Sequence, residues 1–191
     1  MAHSAAYVTT FRRKREGRTD YRKRLTLLRG RQPRLVVRKS LHHVLAQIVD
    51  YSPAGDRVLV SAHSRELLKH GWKAGTDNIS AAYLCGVLLA KKAKAKKVAG
   101  AIADLGMYPN VKGSKLYALL KGAVDGGLRV PVDPAIVPDA KRLSGQHVAH
   151  YASMLKKDPQ AYQKRFSRYL KHGLAPENLP AHFEDIKKKL V

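Results

Sequence analysis

The chain has 191 residues, 45% of them hydrophobic, and a formal net charge of +23, with a pI near 10.3. That hydrophobic share excludes a wholly disordered protein, and no run approaches the roughly 18 apolar residues of a membrane span. Self-repulsion of this size points to a polyanionic partner, either nucleic acid or an anionic membrane surface.

The charge is uneven, with 13 basic and 2 acidic side chains (net +11) in residues 1–39, against 24 and 12 (net +12) in residues 40–191. Residues 1–11 read as an extended arm. Between Arg12 and Arg24, "RRKREGRTDYRKR", eight basic residues face only Glu16 and Asp20. Residues 12–28 tolerate helix and hold no proline; Gly17 is where the segment would bend, and Gly30 and Pro33 end it. The period then changes. Residues 34–40, 43–51 and 57–64 are rich in β-branched side chains, and Ser52-Pro53-Ala54-Gly55-Asp56 is a turn between the last two. Three consecutive strands are expected, at least the last two an antiparallel hairpin. Both alternation faces are apolar, so a sheet covered on both sides, or nearly so, is expected.

A short helix is expected over 64–71, with Ser64 as N-cap and Gly71 as stop. A second runs from near Asp77 to the lysines at 91–97, with Ile79, Tyr83, Val87 and Ala90 on one face. Residues 97–106 read as a further strand, parallel to an earlier one because a helical crossover reaches it. In the helix at 114–127, Ser114 is the cap and Leu116, Leu119, Leu120, Ala123 and Val124 the apolar stripe. A proline-punctuated stretch follows, then helices over 139–157, 159–172 and 180–190. The expected whole is an α/β fold, a mixed sheet flanked by helices. It divides into a basic N-terminal arm (1–30), an α/β core (31–130) and an extended and helical C-terminal extension (131–191).

Catalytic chemistry finds little support. Cys85, the one cysteine, lies in "AAYLCGVLLA" and reads as a buried apolar residue; it excludes an internal disulfide and fits a reducing compartment. The first 20 residues lack the apolar core of a secretory signal, so a cytoplasmic protein is expected. Gly113-Ser114-Lys115 could hold a phosphate at a helix N-terminus, or be an ordinary helix start; both fit equally. His147 with His150, and His63 with His70, lack companion ligands at metal spacing. Ser61, His63 and Asp77 have no nucleophile elbow around the serine. No catalytic residue, metal or cofactor is expected. The arm is different. Arginine outnumbers lysine six to two between residues 12 and 24, and Phe11 and Tyr21 add aromatic surface, as RNA recognition uses. A membrane tether would need a lipid anchor or amphipathic helix, and a nuclear import signal would not explain the second +12 in the rest of the chain.

"FRRKREGRTDYRKRL" (11–25) with "PRLVVRKS" (33–40) resembles universal large-subunit ribosomal protein family eighteen, archaeal type, the 5S rRNA binder. "SAHSRELLKHGWK" (61–73), "AAYLCG" (81–86), "ADLGMYPNVKGSKLYALLKGAVDGGLRVP" (103–131), "GQHVAHYASML" (145–155) and "LPAHFEDIKKKL" (179–190) follow in the same order. The resemblance implies a translation-machinery fold with its arm on RNA. It also implies a cytoplasmic, structural role in the large subunit: binding 5S rRNA, attaching it to the 23S-type rRNA in the central protuberance, beside universal ribosomal protein five and other proteins there. Its implied 5S rRNA contacts are Phe11, Arg12, Arg13, Lys14, Arg15, Arg18, Tyr21, Arg22 and Arg24, continued by Arg38, Lys39 and Ser40. Ser61, His63, Ser64, Trp72 and Lys73 form a second implied RNA stretch, and Lys112, Ser114 and Lys115 a third. Leu41-His42-His43 departs from the family's Asn-Lys-His. The alternative is an RNA-binding or RNA-chaperone protein outside the ribosome.

Overall fold

The structure, a computed structural model, describes Ala6 and residues 8–190. The extended arm expected over residues 1–11 therefore lies mostly outside the described residues. The basic segment folds as two helices, α1 (Arg12–Arg15) and α2 (Tyr21–Arg29). They part at Gly17, whose φ of +63° suits a residue without Cβ. Asp20 starts α2 by accepting the Arg22 and Lys23 amides at 2.9 and 3.1 Å.

Strands β1 (Arg34–Lys39), β2 (Val44–Asp50) and β3 (Arg57–His63) form an antiparallel meander. β4 (Ile102–Asp104) pairs with β1 in parallel, completing a mixed sheet of order β3-β2-β1-β4. β4 is shorter than the expected 97–106. Lys97 takes a left-handed φ of 57° to close the preceding helix, and Gly100 pairs instead with Arg129. The sheet is also less covered than its alternation suggests. One face, with Leu35, Val37, Ala46, Ile48, Val60 and Ala62, is fully buried. On the other, Val36 and Val49 are buried, Leu45 and Gln47 half-buried, and Val58 and Ser61 exposed.

Covering the buried face is α3 (Ile79–Ala95), started by Asn78, whose side chain accepts the Ala81 amide at 2.7 Å. It is buried nearly all round, because α4 (Lys115–Asp125) and α8 (Leu179–Leu190) pack against its other sides. On α4, Leu116, Leu119, Leu120 and Ala123 are buried as expected, while Val124 is exposed. The expected helix at 139–157 is two, α5 (Ala140–Ser144) and α6 (Gln146–Leu155), broken at Gly145 (φ +84°). Then come α7 (Pro159–Lys171), capped by Asp158, and a 3₁₀ turn at Pro176–Asn178. One hydrophobic cluster runs from Leu35 and Ile48 through α3 to Phe183, Ile186 and Leu190.

Candidate nucleic-acid interface

The half-covered face of the sheet and the basic helices enclose an open cleft lined by Arg13, Arg18, Lys23, Arg24, Arg34 and Arg38, with Asp20, Asp56 and Asp104 among them. Strand parity explains the sheet's part. Arg34, Val36 and Arg38 alternate onto one side of β1, opposite the buried Leu35 and Val37. Arg34 is 3% exposed. Its guanidinium donates to Asp104 at 2.7 Å and to Asp56 at 2.7 Å, while its Nε finds no partner among the described residues. Asp56, from the β2–β3 turn, also accepts from Arg24 at 2.9 Å. Lys23 donates to the Gly106 carbonyl at 3.2 Å. The carboxylates thus tie α2 to the sheet. Gly106 (φ +61°) lies so close to the Arg38 guanidinium that a Cβ there would crowd it.

Outside the cleft, Phe11 rests on Tyr21 with ring centres 5.1 Å apart. Arg12 and Arg18 share Glu16 at 3.5 and 3.1 Å, and Arg13 donates to Thr19 at 2.9 Å. Lys14, Arg15 and Arg22 are exposed and make no ion pair among the described residues. At the far end of β1, Lys39 lies over the Tyr108 ring and exchanges backbone hydrogen bonds with its hydroxyl. Ser40 forms the β1–β2 turn with His43.

The second stretch divides. Ser61 is exposed, and its carbonyl accepts from Lys92 at 2.9 Å. His63, not Ser64, is the N-cap of the 3₁₀ segment Ser64–His70: its Nδ1 accepts the Arg65 amide at 3.1 Å, and its own amide donates to Glu66 at 3.0 Å. Burial would raise the Glu66 pKa, but the hydrogen bonds from Lys92 and the His63 amide hold it below the ordinary value. Ser64 is fully buried, its hydroxyl accepting the Val44 amide at 3.0 Å. Trp72 is 2% exposed, donates to the Gly75 carbonyl at 3.1 Å and stacks on His182 at 5.2 Å. Lys73 is exposed. Ser64 and Trp72 therefore belong to the interior.

In the third stretch Lys112 is exposed, and Lys115 is bound by both Asp77 oxygens at 2.6 and 2.7 Å. Ser114 stands at the N-cap position of α4, but its side chain makes no capping hydrogen bond; its Oγ is buried and unpartnered among the described residues. With Asp77 on Lys115 and His63 Nδ1 on a backbone amide, Ser61, His63 and Asp77 form no relay. Burial pushes the Cys85 thiol up to about 12, with Glu66 adding to it, so it stays protonated. Among the described residues no group of three or more His, Cys, Asp or Glu gathers as metal ligands.

A family model described as "Ribosomal large subunit proteins 60S L5, and 50S L18" matches residues 5–102, just over half of the chain. The chain belongs to this family. It is a protein of the large ribosomal subunit, a ribonucleoprotein component whose partner is rRNA. The match takes in α1, α2, β1–β3 and α3, hence every arginine and lysine of the cleft, and stops within β4, short of Asp104 and Gly106.

The cleft contains residues that sequence reading passed over. Arg34 was within reach, sharing strand parity with Arg38. Lys23 sits in the basic run itself. Asp56 and Asp104 carried no local signal, since they meet Arg34 only through sheet pairing.

Proposed function

We propose that this large-subunit protein, of the family's archaeal type, binds 5S rRNA with α1, α2 and the half-covered face of the sheet. It thereby attaches that RNA to the large rRNA in the central protuberance. Universal ribosomal protein five and other central-protuberance proteins are its neighbours, the setting is the cytoplasmic ribosome, and the role is structural, not catalytic. The observation that carries this reading is the cleft. Carboxylates fix Arg24 and Arg34 between arm and sheet, and the exposed cations around them can grip phosphates with little further ordering.

Within this reading the contact set is Phe11, Arg12, Arg13, Lys14, Arg15, Arg18, Tyr21, Arg22, Arg24, Arg38, Lys39 and Ser40, joined by Ser61, His63, Lys73 and Lys112. Lys23 and Arg34 extend it. Ser64, Trp72 and Lys115 act from within, by holding the main chain beneath the surface, and the buried Ser114 makes no RNA contact of its own.

Each phosphate neutralised releases counterions, so with roughly eight contacts the log–log salt slope of 5S rRNA affinity should lie near −6 to −7. Changing Arg12, Arg13 and Arg15 to Ala should weaken binding and flatten that slope by about 2 to 3. A flat response in the native protein, or unaltered binding by the triple variant, refutes the arm's role. A free-standing RNA chaperone is separated by sedimentation: stable co-migration with large subunits in high salt supports the ribosomal role in full.

A further inference from the structure

α7 carries a charge that the arm and its cleft leave unused. Lys164, Arg165, Arg168 and Lys171 are all exposed. Lys164 and Arg165 precede Phe166, where the backbone leaves helical geometry (φ −105°, ψ 18°) and kinks α7, and Arg168 and Lys171 follow it, so two basic pairs flank the kink. No Asp or Glu occurs between Pro159 and Lys171, and among the described residues none of the four makes an ion pair. Elsewhere the chain sets acid against base four residues apart, as in Arg12 with Glu16 and Lys121 with Asp125. Like charges this close along a chain repel, and an anion held between them would offset that repulsion.

The other side of α7 is already engaged. Phe166 is buried, with the rings of Tyr151, Tyr162 and Tyr169 at 6.1, 5.3 and 5.9 Å around it. Apart from Leu170, the large apolar side chains that a membrane-bound helix would insert are thus committed to protein. Outward, the four cations stand among Gln160, Gln163, Ser167 and the exposed Leu170, with no acidic residue between them, and phosphate is the anion that a large-subunit protein meets in quantity. α7 packs on α6 and the Pro176–Asn178 turn, and Tyr169 shares a depression with Asn78 at the start of α3. α3 lies on the buried face of the sheet and the arm lines the cleft on the other. The arm and α7 therefore belong to opposite sides of the sheet.

We propose that α7 is a second, independent RNA contact, a docking surface for the phosphate backbone of an RNA duplex, gripped by charge and not by base reading. The proposal rests on RNA binding by this large-subunit protein but not on the arm's choice of 5S rRNA. Full-length protein saturated with 5S rRNA is titrated with a short labelled RNA duplex of unrelated sequence over a salt series. The variant Lys164→Gln/Arg165→Gln/Arg168→Gln/Lys171→Gln should bind the duplex at least tenfold more weakly, with a salt slope shallower by about 3. Its thermal midpoint and 5S rRNA affinity should stay unchanged. A second variant that exchanges Lys for Arg, and Arg for Lys, at the same four positions should bind as the native protein does. Duplex binding by the glutamine variant as tight and as salt-sensitive as the native protein's overturns the proposal. So does stronger retention by phosphatidylserine vesicles than by the duplex, lost in the same variant. If native protein does not bind 5S rRNA, the arm reading fails, and the duplex titration of the free protein still decides the α7 contact.

Discussion

His182 must be neutral to do what it does. Its Nε2 accepts the Lys73 amide at 3.1 Å while its ring stacks on Trp72. Burial, and then the Lys73 ammonium, hold its pKa below the ordinary value of about 6.5. As the pH falls past that value, the unfolded chain takes up this proton before the folded chain does. The stability tied to His182 is therefore whole above about pH 6.5 and is lost as the pH falls through the lower folded value. His182→Phe keeps a ring against Trp72 but removes the acceptor. It should be less stable by about 1 kcal/mol near pH 7.5, and the gap in urea midpoint should narrow as the pH falls below about 6.5. A gap that stays constant would mean that the histidine does not titrate in this window. The same neighbourhood marks where residue-by-residue reading stops. Ser64 and Trp72 suit RNA by chemical type, yet a hydroxyl and an indole N–H equally satisfy buried main-chain groups. The Val44 amide that Ser64 serves is brought to it by β2–β3 pairing, which no local window contains.

At the scale of elements, helix and strand existence was legible where a period or a turn signal ran unbroken: the Ser52–Asp56 hairpin, α4 with its apolar stripe, α7 behind Asp158. Boundaries were not, where a backbone reversal outweighed pattern. Gly145 splits one expected helix into two, and Lys97 shortens β4. The tightest packing is likewise invisible locally. α3 and α4 cross with Gly86 against the Leu119 carbonyl and Gly122 against the Tyr83 carbonyl, where an added Cβ would collide with main chain that cannot rotate away. Read alone, Gly122 is merely a poor helix former, so propensity would make Gly122→Ala stabilising by about 1 kcal/mol. The crossing reverses the sign. Forcing a methyl into the gap drives the two helices apart throughout the core, at a cost of about 3 kcal/mol. The midpoint of thermal unfolding should fall by about 10 °C. An unchanged or raised midpoint would show that the helices separate freely.

For the whole molecule, net charge alone predicted a polyanion, and the arginine-rich run is where the proposed RNA contact begins. How the charge is held was not legible, because the acids that organise it are scattered at positions 20, 56 and 104. Asp56 tests whether that organisation matters. It bridges Arg24 of α2 and Arg34 of β1 at 2.9 and 2.7 Å, with about a quarter of its side chain exposed. Asp56→Asn would take the net charge from +23 to +24. If attraction to RNA were a matter of total charge, affinity would rise. If Asp56 positions the arm, the opposite follows: Arg24 loses its tether, α2 is no longer fixed against the sheet, and binding must order it again. A partly buried ion pair of this kind contributes about 1 kcal/mol, so 5S rRNA affinity should fall about fivefold. The two effects separate in the kinetics. Association should quicken slightly with the added charge, while dissociation should quicken more as the loosened arm lets go. Tighter overall binding by Asp56→Asn would mean that the cleft attracts RNA by its field alone and that the carboxylates play no part in shaping it.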